Sequence, residues 1–170
     1  MEVVMGPDNV REETLQRMMA QYKNDLMRMC VVCLKDSALA EDAVQETFVK
    51  AYKAMATFRG ESSEKTWLMR IAINTCRDLR RDKWFRFVDR GVTPDNLPLQ
   101  AAGDEGRALM EAILNLPYKH KEVVLLYYYH GLNLKEISEA LGVAASTISM
   151  RLKKARERLR RDLEGGQAHV

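Results

Sequence analysis

Apolar residues recur in this chain at helical spacing, and that pattern limits the fold more than any other feature. Between Glu12 and Leu34 they fall at Leu15, Met18, Met19, Tyr22, Leu26, Met29, Cys30 and Cys33, the i, i+3, i+4, i+7 repeat of an amphipathic helix. A polar break at Lys35-Asp36-Ser37 precedes a second such stretch with Leu39, Ala43, Val44, Phe48, Ala51, Tyr52 and Met55 on one face, and Asp36 or Ser37 is placed to cap it. Phe58 to Ser63 reads as a loop. Ser63 to Lys83 reads as a third helix with Trp67, Leu68, Ile71, Ala72, Thr75 and Leu79 inward.

The periodicity then fails. From Phe85 to Asp104 the chain sets Gly91, Pro94, Pro98 and Gly103 among polar residues, the composition of a connection rather than a packed element. Helical spacing resumes at Leu109, Ala112, Ile113 and Leu116, stops at Pro117, and restarts from Val123 to Tyr129. The run Val-Val-Leu-Leu-Tyr-Tyr-Tyr has strand propensity, but no partner strand is visible elsewhere, so a buried helix is expected. Gly131 closes it. Two more helices follow, one with Leu134, Ile137 and Leu141 and one with Ile148, Leu152, Ala155 and Leu159. The expected fold is all-α: two small helical domains, 1–84 and 105–170, joined by a flexible linker, 85–104.

Hydrophobic residues at 46% and charged residues at 30% suit helices with one buried face. No apolar run is long enough to span a bilayer, and Met1 to Asp8 has no basic stretch leading into an apolar core. Neither a signal segment nor membrane insertion is therefore expected, and the default location is cytoplasmic. The net charge of +3 is modest, but its distribution is not even: Lys65 to Arg90 holds eight basic residues against three acidic, and Ser149 to Arg161 seven against Glu157 alone. Either segment suits a solvated helix face or a phosphate-binding surface.

Cys30 and Cys33 have the CxxC spacing of zinc or redox sites. They lie inside an apolar helical stretch with no second CxxC and no nearby histidine, so buried structural thiols are the preferred reading. The three histidines, His120, His130 and His169, form no catalytic or ligand pattern. No phosphate-binding glycine loop, nucleophile with its base, or paired catalytic carboxylates stands out, so neither an enzyme nor a cofactor is expected.

The most informative segment runs from Leu134 to Arg156. Gly142 sits where a helix-turn-helix must turn, Ala140 permits close approach, and Val143 with Ile148 can plug the corner. The second helix presents Ser146, Thr147, Ser149 and Met150 near its start, then Arg151, Lys153, Lys154 and Arg156. Small polar groups suit base edges in a major groove, and the basic ones suit phosphates.

Leu116-Pro117, then Lys121 to Tyr128, then the helix-turn-helix resemble region 4 of the sigma-70 family, which reads the minus-thirty-five promoter element. Ala40 to Tyr52 and Thr66 to Arg81 resemble region 2, which holds the polymerase core and the minus-ten element. The two matches keep the family's order on either side of a linker, and the lack of further domains is similar to the extracytoplasmic-function group. The resemblance implies a sigma factor whose partners are the RNA polymerase core (its β′ and β subunits), promoter DNA and an anti-sigma factor.

By the same resemblance, Asp42, Gln45 and Glu46 contact the coiled coil of β′, with Phe48 as support. The loop from Phe58 to Lys65, Arg59 included, captures an unstacked base. Asn74 reads a base edge, because its amide both donates and accepts, and Arg70, Arg77, Arg80 and Arg81 neutralise phosphates. Trp67 belongs to the apolar stripe more than to a stacking surface. Ser149 stands where family members often carry a basic residue, and Ala144 near a position often held by a capping side chain. The alternative reading is a stand-alone helix-turn-helix regulator that binds duplex DNA without polymerase; it leaves the region 2-like half unexplained.

Overall fold

A computed structural model describes residues 7–82 and 103–167, and all regular structure among them is helical. Most of the expected linker lies outside the described residues. Helix α1 spans Pro7–Leu34 and α2 Ser37–Ala54, with a 3₁₀ turn at Met55–Thr57; α3 spans Glu64–Asp82. In the second half, α4 is Gly103–Leu114 and α5 is Tyr118–Val124, continuing as a π-helical turn over Leu125–Tyr129. Then come α6, Leu134–Leu141, and α7, Ala145–Gln167.

Helix α1 begins five residues before the apolar repeat does. Pro7 lacks the N–H that a first turn leaves unpaired anyway, and Asp8 lies where the helix dipole favours an acid. Its far end is buried on every side: Val31, Val32, Cys33 and Leu34 are all inaccessible, because this turn lies between α2, α3 and the second half of the molecule. Lys35 turns the chain with φ of 53°, and the Asp36 side chain accepts from the Leu39 N–H at 3.0 Å to cap α2. Ser63 does the same for α3, accepting from Thr66 N–H at 3.1 Å.

On α3 the buried set is Leu68, Met69, Ala72, Ile73, Thr75 and Cys76, while Trp67, Ile71 and Leu79 are only partly covered. The apolar face is thus rotated from the expected one. Met69, Ile73 and Cys76 turn inward because α3 packs on α1 and α2 and also on α6 across the molecule. Leu109, expected on the inner face of α4, is exposed.

The expected helix over Val123 to Tyr129 is present, widened at its end where the His130 N–H donates to the Leu125 carbonyl five residues back. Asn133 and Glu136 cap α6 reciprocally, each side chain accepting from the other's backbone N–H at 2.9 Å. Gly142 ends it with φ of 65°, left-handed backbone that glycine adopts without the penalty a side chain brings, and the Ser138 hydroxyl donates to the Val143 carbonyl to close the turn into α7. One apolar cluster runs through both halves, from Leu26 and Cys33 to Leu125, Ile137 and Leu152.

Candidate partner-binding and nucleic-acid interfaces

Helix α2 presents Asp42, Gln45 and Glu46 to solvent, while Phe48 is 4% exposed and anchors the same helix from beneath. Glu46 pairs with Lys50 at 3.8 Å, and Lys50 also lies 3.8 Å from Asp78 and donates to the Thr75 hydroxyl at 3.2 Å. Beside this strip a groove of about 830 Å³ runs between α1 and α2, lined by Leu15, Met19, Met27, Val44, Phe48 and Val49, with Gln45 on its wall. Met19 and Val49 are exposed. The amphipathic repeat did not single out Val49, because it lies off the stripe that builds the core; a large apolar residue on the wrong face was the signal available.

The loop before α3 forms a second depression, of about 300 Å³, bounded by Phe58, Arg59, Glu61, Ser62, Trp67 and Arg70. Phe58 and Trp67 stack with ring centroids 4.7 Å apart, so Trp67 is shared between the core edge and the wall of this pocket. Arg59 is exposed. Lys65 is held to Asp25 of α1 at 3.3 Å, and Arg17 of α1 forks onto Glu64 at 2.6 and 2.9 Å, tying the start of α3 down. That hydrogen bond holds the Glu64 carboxyl below its usual range.

Along α3 the expected DNA-facing residues divide. Asn74 is exposed, and so is Arg81, which pairs along its own helix with Asp78 at 3.4 Å and Asp82 at 3.6 Å. Arg70, Arg77 and Arg80 instead face the second half. Arg70 meets Glu139 of α6 at 3.1 Å, Arg77 donates to the Leu141 carbonyl at 2.9 Å, and the Arg80 guanidinium lies 4.1 Å from the centre of the Tyr118 ring. Arg77 also lies 3.7 Å from Glu122, as does Arg151 from the other side.

Glu122 is 1% exposed, and neither of its oxygens accepts a hydrogen bond among the described residues. Burial pushes its carboxyl up, and Arg77, Arg151 and Arg80 pull it back. Burial likewise raises the Tyr118 hydroxyl. The three cysteines are all buried, with Cys30 and Cys76 sulfurs 3.5 Å apart, and burial raises the Cys33 thiol well above its ordinary range. No group of three or more possible metal-holding side chains occurs among the described residues.

On α7, Ser146, Ser149, Met150, Lys153, Lys154 and Arg156 are exposed and Thr147 partly so. Arg156 donates to the Tyr128 hydroxyl at 2.5 Å and lies within 6 Å of the Tyr127 and Tyr128 rings. Arg151 departs from this face. Its side chain is 16% exposed and directed at Glu122, which places it in the internal charge cluster rather than on the outer stripe.

The geometry therefore has two units, a helix preceded by a small loop pocket and a helix-turn-helix with a basic second helix. Two family descriptions match these units in turn: Sigma-70 region 2 over residues 18–86 and Sigma-70, region 4 over residues 112–161. The chain belongs to the sigma-70 family of RNA polymerase sigma factors. Among relatives of this sigma factor, the ECF RNA polymerase sigma factor SigW of Bacillus subtilis (strain 168) is 30% identical over 84% of either chain. The RNA polymerase sigma factor SigV of the same strain is 31% identical over 82% of this chain and 84% of its own. It is thus a sigma factor of the extracytoplasmic-function type.

In fold it matches the sigma factor RpoE of Bartonella quintana, solved in complex with the anti-sigma factor NepR, with a TM-score of 0.72 at 23% identity over 89% of this chain and 98% of that one. CnrH, solved with the cytosolic domain of CnrY, matches with a TM-score of 0.65 at 23% identity, covering 91% and 90%. Like its family, this sigma factor binds RNA polymerase core and directs promoter recognition and the initiation of transcription. No described helix is long and apolar enough to cross a membrane.

Proposed function

We propose that residues 1–84 hold the polymerase core and read the minus-ten element, while residues 105–170 read the minus-thirty-five element. In the core contact, Asp42, Gln45 and Glu46 meet basic and polar groups of the β′ coiled coil. The apolar groove between α1 and α2, floored by Phe48, receives its side chains. The single observation that supports this most is the juxtaposition of that exposed acid-and-amide strip with a groove of about 830 Å³, since a helix-in-groove contact needs an apolar seat flanked by charge.

The loop pocket between Phe58 and Arg70 takes one unstacked base of the non-template strand, with the Phe58–Trp67 stack as its aromatic wall. Asn74 reads a neighbouring base edge, and Arg59, Lys65, Arg70, Arg77, Arg80 and Arg81 supply positive charge to the backbone. On α7, Ser146, Thr147, Ser149 and Met150 face base edges while Lys153, Lys154 and Arg156 hold phosphates. Arg151 supports the helix from inside through Glu122. The protein works by binding and not by catalysis, in the cytoplasm with its polymerase, and an anti-sigma factor restrains it. The β subunit is the second core contact.

Reversing charge at both Asp42 and Glu46, as Asp42→Arg/Glu46→Arg, tests the central assignment. Both sites are exposed, so the helical circular dichroism should be unchanged, while affinity for core polymerase should fall by roughly 2–5 kcal/mol. A variant that binds core as the parent does would remove the strip from the interface. Failure of the parent itself to copurify with core would favour a stand-alone DNA-binding regulator.

A further inference from the structure

Arg156 differs from Arg151 and Arg158 of the same helix in what holds it. Arg151 is set against Glu122 at 3.7 Å and Arg158 against Asp162 at 3.5 Å, so a carboxylate offsets the charge of each. Arg156 has neutral partners instead. Its Nε–H donates to the Tyr128 hydroxyl at 2.5 Å, and its guanidinium carbon lies 5.6 and 5.9 Å from the centres of the Tyr128 and Tyr127 rings. Among the described residues no carboxylate pairs with it. An ion pair fixes a guanidinium and offsets its charge; a hydroxyl and two aromatic rings fix it and leave the charge whole. With Nε taken, the two terminal nitrogens keep their donors, a fork that matches two oxygens of one phosphate.

The place of Arg156 on α7 suits that use. Ser146, Ser149, Lys153 and Arg156 are all exposed and fall at i, i+3, i+7 and i+10, one stripe of the helix. Arg156 lies about 10 Å beyond Ser149 at roughly 1.5 Å per residue, and a major groove is about 12 Å wide. A helix that enters the groove by its first turns therefore carries Arg156 to the phosphates at the rim. Tyr128 reaches this stripe from a different element, the π-helical turn before α6. There Leu125 and Leu126 are buried while Tyr128 is 53% exposed, a large ring left at the surface. It stands edge-on to Tyr127 with centroids 4.9 Å apart, and Tyr127 packs against the core, so the hydroxyl has a fixed base.

We propose that Tyr128 is a positioning residue for duplex DNA: its hydroxyl holds Arg156 by Nε and aims the two terminal nitrogens at one backbone phosphate on the rim of the major groove. This rests on the assignment of Arg156 to phosphate. The side chain is ordered before DNA arrives, so binding does not have to order it. Lys153 and Lys154 act on the same backbone as mobile charges, whereas Arg156 sets the register of the helix against it.

The test uses the full-length chain, a short fluorescent duplex of mixed sequence titrated at several salt concentrations, and nitrogen-15 NMR of the arginine Nε–H groups. Tyr128→Phe keeps both rings and deletes only the acceptor. It should weaken duplex binding by about threefold to tenfold, the range for ordering one long side chain on binding, and leave the log-log salt slope as in the parent, because the charge remains. Arg156→Ala should weaken binding and flatten that slope by up to about 0.9. Adding Tyr128→Phe to Arg156→Ala should change nothing further. Tyr129→Phe removes the hydroxyl of the adjacent residue, which lines the cleft with Asp25 and His130, and should bind as the parent does. In the parent the Arg156 Nε–H, assigned by its loss in Arg156→Ala, should give a resolved signal that Tyr128→Phe merges with those of mobile arginines. Parental affinity in Tyr128→Phe, a further loss when it is added to Arg156→Ala, or an unresolved Arg156 signal in the parent would overturn the positioning role while leaving Arg156 at phosphate. An unchanged salt slope in Arg156→Ala would overturn the phosphate assignment itself, and the role of Tyr128 with it.

Discussion

Helix α3 carries Arg70, Arg77, Arg80 and Arg81, and helix α7 carries Lys153, Lys154, Arg156 and their neighbours, so as sequences the two are near equivalents: long amphipathic helices rich in basic residues. Their surroundings make them different. The α7 lysines are exposed and meet solvent, whereas three of the four α3 arginines lie against a carboxylate, a carbonyl and an aromatic ring from the other half of the chain. A basic stripe measures potential affinity for phosphate; what the stripe already touches decides how much of that potential is available. The difference between the helices holds only while the two halves are in contact, which points to where it can be broken.

Acid is the strongest expected lever. His130, at the end of the π-helical turn, lines the cleft between the halves with Asp25, Arg28 and Lys65 of the first half around it, and its Nδ1 has no hydrogen-bond partner among the described residues. Burial first, then Lys65, lowers its pKa from 6.5 to about 4, with Asp25 opposing. The folded form thus resists protonation while the unfolded form accepts it near 6.5. Stability from this group is complete above that value and is lost as pH falls towards 4, by up to about 3 kcal/mol. Glu122 has the opposite sign, since its raised carboxyl takes up a proton more readily when folded and acid relieves its burial. The informative quantity is therefore a difference between proteins. Urea midpoints of the parent should fall more steeply between pH 6.5 and 4 than those of His130→Gln, and parallel profiles would show that the histidine does not report on the cleft.

The salt response of the two helices is expected to differ by the next largest amount. In the free chain, Lys153→Ala and Lys154→Ala should each weaken duplex binding across sequences and flatten the log-log salt dependence by up to about 0.9 for each phosphate no longer neutralised. Arg80→Ala in the same free chain should change that slope much less, because Tyr118 already covers the guanidinium. Salt titrations of the three variants by fluorescence anisotropy make the comparison. If Arg80→Ala flattened the slope as fully as either lysine variant, the difference between α3 and α7 would not exist in solution.

The helices themselves were legible because each has one apolar stripe, and the turn at Gly142 was legible because left-handed backbone there calls for glycine. The start of α1 was not, since its first two turns are polar and only Pro7 and Asp8 mark them. The rotated face of α3 was hidden for a different reason: a helix that packs on two sides buries residues from two stripes, and one-stripe reasoning retains only the stronger. Glu122 shows the limit best. A glutamate between Lys121 and Val123 reads as surface, and its burial follows from arginines on α3 and α7 that no local pattern connects. Residues proposed for the site that project from one helix, such as Asp42, Gln45 and Asn74, stand on the solvent side that helical spacing gives them. Contacts made between the halves could not be read from spacing.

The smallest expected effect separates specificity from charge within α3 itself. Asn74 and Arg81 are both exposed, but the asparagine amide can match a donor and acceptor pattern, while Arg81 already pairs with Asp78 and Asp82 on its own helix. In holoenzyme, Asn74→Ala should relax the preference at one minus-ten position by about 1 kcal/mol, the low end for a base-edge contact, and leave the salt slope nearly unchanged. Arg81→Ala should weaken binding to all minus-ten variants alike and lower the slope by less than the roughly 0.7 of a full single-strand phosphate contact, because its two carboxylate neighbours offset part of its charge. Holoenzyme affinities for a set of minus-ten variants at several salt concentrations distinguish the two. An Asn74→Ala protein with the parental base preference, or an Arg81→Ala protein altered at one position only, would reverse these roles.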